Sequence, residues 1–399
     1  MRSRFRDGFP VAHEGDAGRP RDPAPKELTR DDLGPGMTEF VPEPSWTLAE
    51  LEEEGARHVT DAIWAYIQGG AGAEHTVREN AAAFGRWSLC PRAFVDVQEI
   101  DLRTEILGRR VAVPFFVAPM AYQGQVHPDG ERAVARAAGR ENVLAAYSTL
   151  SSCSLEEIAR DSGDGPRWFQ LYLQPDFEVS RSLIERAERA GFDALVLTAD
   201  APVLGVRDRQ ARGGFAIDAS VPLGNGRDVV PPPRGPAAQG PVYRLRSDAG
   251  ATWEIVGTIR SITRLPVIVK GILSVDDAGR AARAGAAGLL LSNHGGRQLD
   301  RSVSPLSVLP EIRKEVPGTL EVYLDGGVRR ASEILISLAL GARAVGIGRP
   351  FLWALAAAGS TGVRRYLRLL SEELATGLAI AGRRNLGEVG PDLVREIRS

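Results

Sequence analysis

The chain has 399 residues, and its 49 basic side chains against 51 acidic ones leave a formal net charge of −2, a balance that gives no nucleic-acid footprint. Cys90 and Cys153 are the only cysteines, so neither a disulfide scaffold nor a Cys/His metal cluster is expected, and no metal is assigned. The most apolar stretch, residues 334–359, is broken by Arg343 and Arg349, so no membrane span is expected, and the basic start Met1-Arg2-Ser3-Arg4 has no apolar run behind it, which argues against a secretory signal and for a cytoplasmic location.

Residues 1–44 are rich in Pro, Gly, Asp and Arg with hardly any apolar periodicity, which predicts a disordered or loosely attached extension. From Trp46 onward Leu48, Leu51, Ala56, Val59, Ile63, Trp64 and Tyr66 recur at helical spacing until Gly69-Gly70, which predicts two entry helices. Short apolar runs then alternate with amphipathic stretches: residues 113–118, 143–148, 168–172, 194–200, 266–270, 287–293, 320–325 and 344–348. Eight such units predict an α/β fold, a closed (β/α)₈ (TIM) barrel occupying one domain over residues 45–399. The rhythm breaks once, after the fourth run. There a long loop containing Gly213-Gly214 and Pro231-Pro232-Pro233 separates Asp200 from a helix expected near Thr252, and such loops are usually lids or disordered segments.

In a barrel of this kind the chemistry sits at the carboxyl ends of the strands. The runs end in Pro119-Met120-Ala121, Ser148, Gln170-Leu171-Tyr172, Thr198-Ala199-Asp200, Lys270-Gly271, Ser292-Asn293-His294-Gly295-Gly296-Arg297, Asp325-Gly326-Gly327 and Gly348-Arg349. Singly, each has an ordinary explanation: Asp200 as a helix cap, His294 as a hydrogen-bonded rim residue, Lys270 as a side chain reaching along apolar surface to water. Jointly, a base, a carboxylate, arginines and a lysine on one edge indicate a catalytic rim. The turns around Gly326-Gly327 and Gly348 open onto helices with Arg329 and Arg349 close by. Glycine lets backbone N–H groups approach an anion, and the loops after the seventh and eighth strands are where barrels often hold phosphate, so a phosphorylated ligand is expected there.

From about Trp46 to the C-terminus the chain resembles the FMN-dependent (S)-2-hydroxy-acid oxidases and dehydrogenases, the family of glycolate oxidase, lactate monooxygenase, flavocytochrome-type lactate dehydrogenase and the mandelate enzymes. The segment Ser292-Asn293-His294-Gly295-Gly296-Arg297-Gln298-Leu299-Asp300 matches the family's active-site signature, and Tyr66, Phe169-Gln170-Leu171-Tyr172, Leu197-Thr198-Ala199-Asp200, Val269-Lys270-Gly271 and both glycine turns follow in family order. The resemblance implies FMN as cofactor and a small 2-hydroxy acid as substrate. It implies His294 as catalytic base, Asp200 as the group that orients and stabilises its imidazolium, and Arg297 with Arg207 as a clamp on the substrate carboxylate. Tyr66 would donate to that carboxylate, Tyr172 would contact the hydroxyl or the forming carbonyl, and Lys270 would place positive charge beside the flavin. Pro119, Met120, Ala121, Ser148, Gln170, Thr198 and Ser292 would line the isoalloxazine, and Asp325, Gly326, Gly327, Arg329, Gly348 and Arg349 would hold the ribityl and phosphate groups.

Leu150 stands where the resembling glycolate oxidases have an aromatic residue, and residues 118–131 are most similar to the 4-hydroxymandelate oxidase branch. An aromatic or medium-size 2-hydroxy acid is therefore expected, with Leu150 and Tyr122 as candidates for its wall. A lactate/glycolate-type oxidase or monooxygenase is the alternative, as is a barrel redirected to a carrier-bound or peptide substrate. A non-redox flavin barrel, as in the type 2 isopentenyl diphosphate isomerases, has no need of a carboxylate clamp. A non-catalytic relative would have lost groups that are all present here. The family resemblance further implies O2 or another electron acceptor and a homotetramer or homo-octamer, without nucleic-acid or membrane partners.

Overall fold

The computed structural model describes residues 47–397 apart from residues 219, 227, 228, 230–247 and 249. The expectations for residues 1–44, for Trp46 and for Pro231-Pro232-Pro233 lie outside the described residues. In chain order the strands are β1 (Trp87–Leu89), β2 (Thr104–Ile106), β3 (Arg109–Val111), β4 (Phe115–Val117), β5 (Ala145–Ser148), β6 (Arg167–Leu171), β7 (Ala194–Thr198), β8 (Val267–Ile272), β9 (Gly288–Leu291), β10 (Glu321–Asp325), β11 (Ala344–Ile347) and β12 (Val394–Glu396). Strands β4 to β11 close into a barrel, every neighbouring pair parallel, with one strand for each predicted run.

The helices are α1 (Leu48–Arg57), α2 (Asp61–Gln68), α3 (His75–Ala82), α4 (Gly130–Arg140), α5 (Leu155–Ser162), α6 (Phe177–Arg189), α7 (Asp208–Arg212), α8 (Glu254–Ile262), α9 (Val275–Arg283), α10 (Pro305–Glu315), α11 (Ala331–Ala339) and α12 (Arg349–Ile380). Their starts follow local chemistry. Thr47 with Glu50, and Ser154 with Glu157, form reciprocal capping boxes at the heads of α1 and α5, each satisfying two otherwise unpaired N–H groups. The two entry helices are thus present as expected. Helix α3, the hairpin β2–β3 and the antiparallel pair β1–β12 were not anticipated. Among the described residues no helix is long and apolar enough to cross a membrane.

Alternation along the strands builds the site. Side chains two apart on a strand share a face, and one face of each barrel strand points inward. Phe116, Ala146, Trp168, Val196, Ile268, Leu290, Tyr323 and Ala344 form one buried apolar cluster inside the barrel, sealed below by Ile106 and Val111 of the β2–β3 hairpin. Three of its rings meet with centroids 5.1 to 6.2 Å apart. A larger cluster, including Val117, Tyr147, Phe169, Leu195 and Val269, faces the helices. Two residues beyond the inner cluster the same inward register delivers Ala118, Ser148, Gln170, Thr198, Lys270, Ser292 and Asp325. The polar layer therefore lies directly above an aromatic plug, on the same strands.

Candidate active site

The strand-borne polar layer is hydrogen-bonded within itself. Ser148 Oγ donates to Gln170 Oε1 (2.9 Å), and Gln170 Nε2 donates to Thr198 Oγ1 (2.8 Å). Across the barrel Lys270 Nζ donates to Ser292 Oγ (2.8 Å), which donates to Asp325 Oδ1 (2.6 Å). Lys270 Nζ also lies 3.6 Å from Asp325 Oδ2, so this buried cation is paired.

His294 begins the turn after β9. Its φ is 61°, in the left-handed region, and Gly295 and Gly296 follow at 62° and 78°. A left-handed residue with a side chain costs roughly 1–2 kcal/mol, so the surroundings must hold it. Ser292 Oγ accepts the His294 N–H (3.0 Å), and Asn293 exchanges two hydrogen bonds with Asn80 of α3 (2.8 and 2.6 Å) while accepting the Gly296 N–H (3.0 Å). The imidazole is thereby aimed with Nδ1 3.2 Å from Asp200 Oδ1 and Nε2 3.2 Å from Tyr172 Oη.

Burial pushes His294 below its ordinary pKa, and the Asp200 carboxylate opposes this. Burial alone would raise Asp200, but the Lys270 and His294 charges hold it below the usual carboxylate range. An ionised Asp200 makes Nδ1 the protonated nitrogen, which leaves Nε2 as a proton acceptor. Burial raises the Tyr172 phenol, keeping it neutral and able to donate to Nε2.

The arginines expected to clamp a carboxylate lie beside His294. Arg297 Nη1 donates to Tyr66 O (2.7 Å) and Gly69 O (2.8 Å) at the end of α2, and its guanidinium carbon lies 4.8 Å from the centre of the Tyr66 ring. Arg207 Nε donates to Arg297 O (3.1 Å). Tyr66 Oη donates to Ala121 O (3.3 Å), and its ring stacks on Phe215 at 4.3 Å and 11°. Phe215 was not anticipated; it belongs to the long loop, where no periodicity marks it. The loop continues across the barrel mouth. Gln125 Oε1 accepts the Asp218 N–H (3.2 Å), Gly224 N donates to Ser151 O (3.0 Å), and Asn225 Nδ2 donates to Thr149 O (2.9 Å). Leu150 is half-buried on the loop after β5, and its carbonyl accepts the N–H of Tyr122 (3.0 Å), a buried residue at φ 57°.

Pro119, Met120 and Ala121 follow β4 on the same rim, half-buried. Two strands away around the barrel, in the turn after β10, Gly326 and Gly327 have φ of 102° and 90°. A Cβ on Gly327 would lie 2.1 Å from Asn80 O, so packing against α3 requires this glycine as much as any ligand does. On Gly348, ahead of α12, a Cβ would meet nothing nearer than Met120 Sδ at 3.7 Å, which leaves open space above that turn. Arg329 donates to Val328 O (3.0 Å), and Arg349 donates to Ile67 O, Gly69 O and Gly295 O at 3.1 Å each. Burial, with repulsion from Arg329 and Arg297, lowers Arg349 to about 9.

Crowded arginines bonded to carbonyl oxygens, next to the N-termini of α11 and α12, suit a doubly charged phosphate. The hydroxyls, amide and Lys270 of the barrel layer suit the polar edge of a flavin ring. The donor set fits FMN.

The family model for FMN-dependent dehydrogenases matches residues 55–396. The chain belongs to this family. FMN is its cofactor, and it is an FMN-dependent 2-hydroxy-acid oxidoreductase. It is 44% identical over 344 residues to the 4-hydroxymandelate oxidase of Amycolatopsis orientalis, covering 86% of this chain and 96% of that one. It is 42% identical over 349 residues to the L-lactate oxidase of Nostoc sp., covering 86% and 96%. The crystal structure of a mandelate oxidase superposes with a TM-score of 0.80 at 43% identity, covering 88% of this chain and 98% of that one.

Proposed function

We propose that this enzyme oxidises an (S)-2-hydroxy acid with an aromatic or medium-size side chain to the 2-oxo acid. One observation carries the reading: the His294 imidazole lies 3.2 Å from both Asp200 and Tyr172, beside the half-buried Arg297. When bound, FMN would take up the two electrons and one of the two hydrogens that the substrate loses, the other leaving as the proton that His294 accepts. Arg297 and Arg207 hold the substrate carboxylate, and Tyr66 adds a hydrogen bond to it. Nε2 of His294 takes one proton, and Asp200 stabilises the imidazolium that results. Tyr172 donates to the substrate oxygen, while Lys270 supplies positive charge from the barrel layer where the cofactor gathers electron density. Pro119, Met120, Ala121, Ser148, Gln170, Thr198 and Ser292 line the ring, and Asp325, Gly326, Gly327, Arg329, Gly348 and Arg349 hold the ribityl phosphate.

Support for an aromatic substrate comes from Leu150 on the rim and from the relatives named for 4-hydroxymandelate and mandelate. The 42% identity to an L-lactate oxidase makes a short aliphatic acid the second reading. Because those relatives are oxidases, O2 is the acceptor in this proposal; a homotetramer or homo-octamer rests on the family resemblance. Anaerobic addition of (S)-mandelate should bleach the yellow holoprotein, and readmitted air should restore the colour. Bleaching by (S)-lactate alone would move the assignment to the second reading, and no bleaching by any 2-hydroxy acid would overturn both. Leu150→Trp should favour glycolate over mandelate by about tenfold, the worth of roughly 1–3 kcal/mol that a pocket's apolar shape supplies. An unchanged preference would remove Leu150 from the pocket.

A further inference from the structure

We propose that Gln298 is a positioning residue for this oxidation, setting the base-orienting carboxylate and one clamp arginine at once. Its Nε2 donates to Asp200 O (3.0 Å) and to Val203 O (2.8 Å), and its Oε1 accepts from Gly205 N (3.2 Å) and Arg207 Nη2 (3.4 Å). A side-chain amide has two donors and one acceptor oxygen with two lone pairs, so Gln298 spends its whole capacity on the eight residues from Asp200 to Arg207. That segment carries the carboxylate that faces His294 at one end and a guanidinium of the clamp at the other. It also lies flat on the signature turn. A Cβ on Gly205 would come within 2.4 Å of Gln298 O and 2.5 Å of Arg297 O, so backbone rests on backbone there. Arg207 Nε donates to Arg297 O, which joins the two clamp arginines through the residue next to Gln298. Gln298 touches neither reacting atoms nor cofactor in this arrangement; it acts through Asp200 and Arg207.

The inference rests on the substrate reading above, and its test separates the two. FMN-loaded wild type, Gln298→Met, Arg207→Met and the double variant are titrated with benzoylformate, an aromatic 2-oxo acid, through the change in flavin absorption, and kcat/KM for (S)-mandelate is measured against pH. Gln298→Met should stay yellow, bind benzoylformate at least about tenfold more weakly, and lose about 100-fold in kcat/KM, the scale on which displacing a positioned group by about 1 Å acts. Its acid limb should move to lower pH, because a displaced Asp200 no longer supports a protonated His294. The double variant should bind benzoylformate scarcely more weakly than Arg207→Met, since coupled residues are not additive. If Gln298→Met does not fold with FMN, Gly205→Ala, which lifts the same segment, should show the same shift in the acid limb. A yellow variant with unmoved affinity and unmoved acid limb, or strictly additive losses in the double variant, overturns the positioning role alone. A wild type that neither binds benzoylformate nor is bleached by mandelate overturns the substrate reading and this role together.

Discussion

His294→Ala should slow the reduction of bound flavin by the 2-hydroxy acid by about 10²–10⁴-fold, the usual worth of a positioned base, while the protein stays yellow. The two halves of this expectation have different origins. Nε2 is the acceptor at which Tyr172 and, in the proposed reaction, the substrate converge, and alanine leaves Asp200 with no imidazole to orient. The hydroxyls, amide and lysine proposed to face the cofactor stand on strands β5 to β8 and just past the end of β9, and they are hydrogen-bonded to one another without the imidazole. Stopped-flow reduction and the flavin content of the purified variant check the two halves separately, and normal reduction would remove His294 from its role. The pH dependence has a definite sign. Burial places the His294 pKa below its ordinary 6.5, and a protonated imidazole cannot accept a proton. Wild-type kcat/KM should therefore hold as pH falls to 6.5 and decline only below it; an acid limb above 6.5 would contradict the environment described.

Arg297→Met should raise the Michaelis constant for the acid by about 30-fold or more. Removing one member of a buried, hydrogen-bonded charge pair costs about 2–5 kcal/mol, and each 1.4 kcal/mol is about tenfold. Methionine matches the side chain's volume approximately but supplies neither charge nor donors. Arg297 also ties Tyr66 O and Gly69 O to the signature turn, so the variant loosens the end of α2. Arg349 still donates to Gly69 O, which keeps that corner closed. Steady-state kinetics with (S)-mandelate and the affinity for benzoylformate measure the loss, and unchanged values of both would refute the clamp.

The barrel was legible in the sequence because its strands are buried on both sides, and a strand without a wet face reads as an unbroken apolar run. The rim was legible because those runs end in groups that have no place in a core. Helix α3 was not. Its segment His75–Ala82 is polar, and it stands because Asp300, at the end of the signature, accepts the N–H groups of Ala73 (3.0 Å) and Thr76 (2.9 Å). No local pattern announces a cap that is more than two hundred residues away. Phe215 was missed for the same reason, its partner Tyr66 lying on the far side of the chain. Gln298 was read as one letter of a signature, and only its four hydrogen bonds reveal what it holds. The glycines of the Asp325 turn were attributed to an approaching anion, whereas Asn80 claims Gly327 as well.

The stacking of a polar layer on an aromatic plug divides the molecule's labour. Ser148, Gln170, Thr198 and Lys270, proposed to face the flavin ring, stand on strands whose next inward residues, Ala146, Trp168, Val196 and Ile268, are locked in that plug, so Trp168→Ala should disturb the proposed cofactor seat as well as cost about 3–5 kcal/mol of stability. The groups assigned to the acid stand off the strands, Tyr66 on α2 and Leu150, Arg207 and Arg297 on turns beyond the strand ends. One part of the sequence is therefore held to a single chemistry, while another can drift from one acid to the next. A lineage built this way can change its diet without relearning how to move electrons.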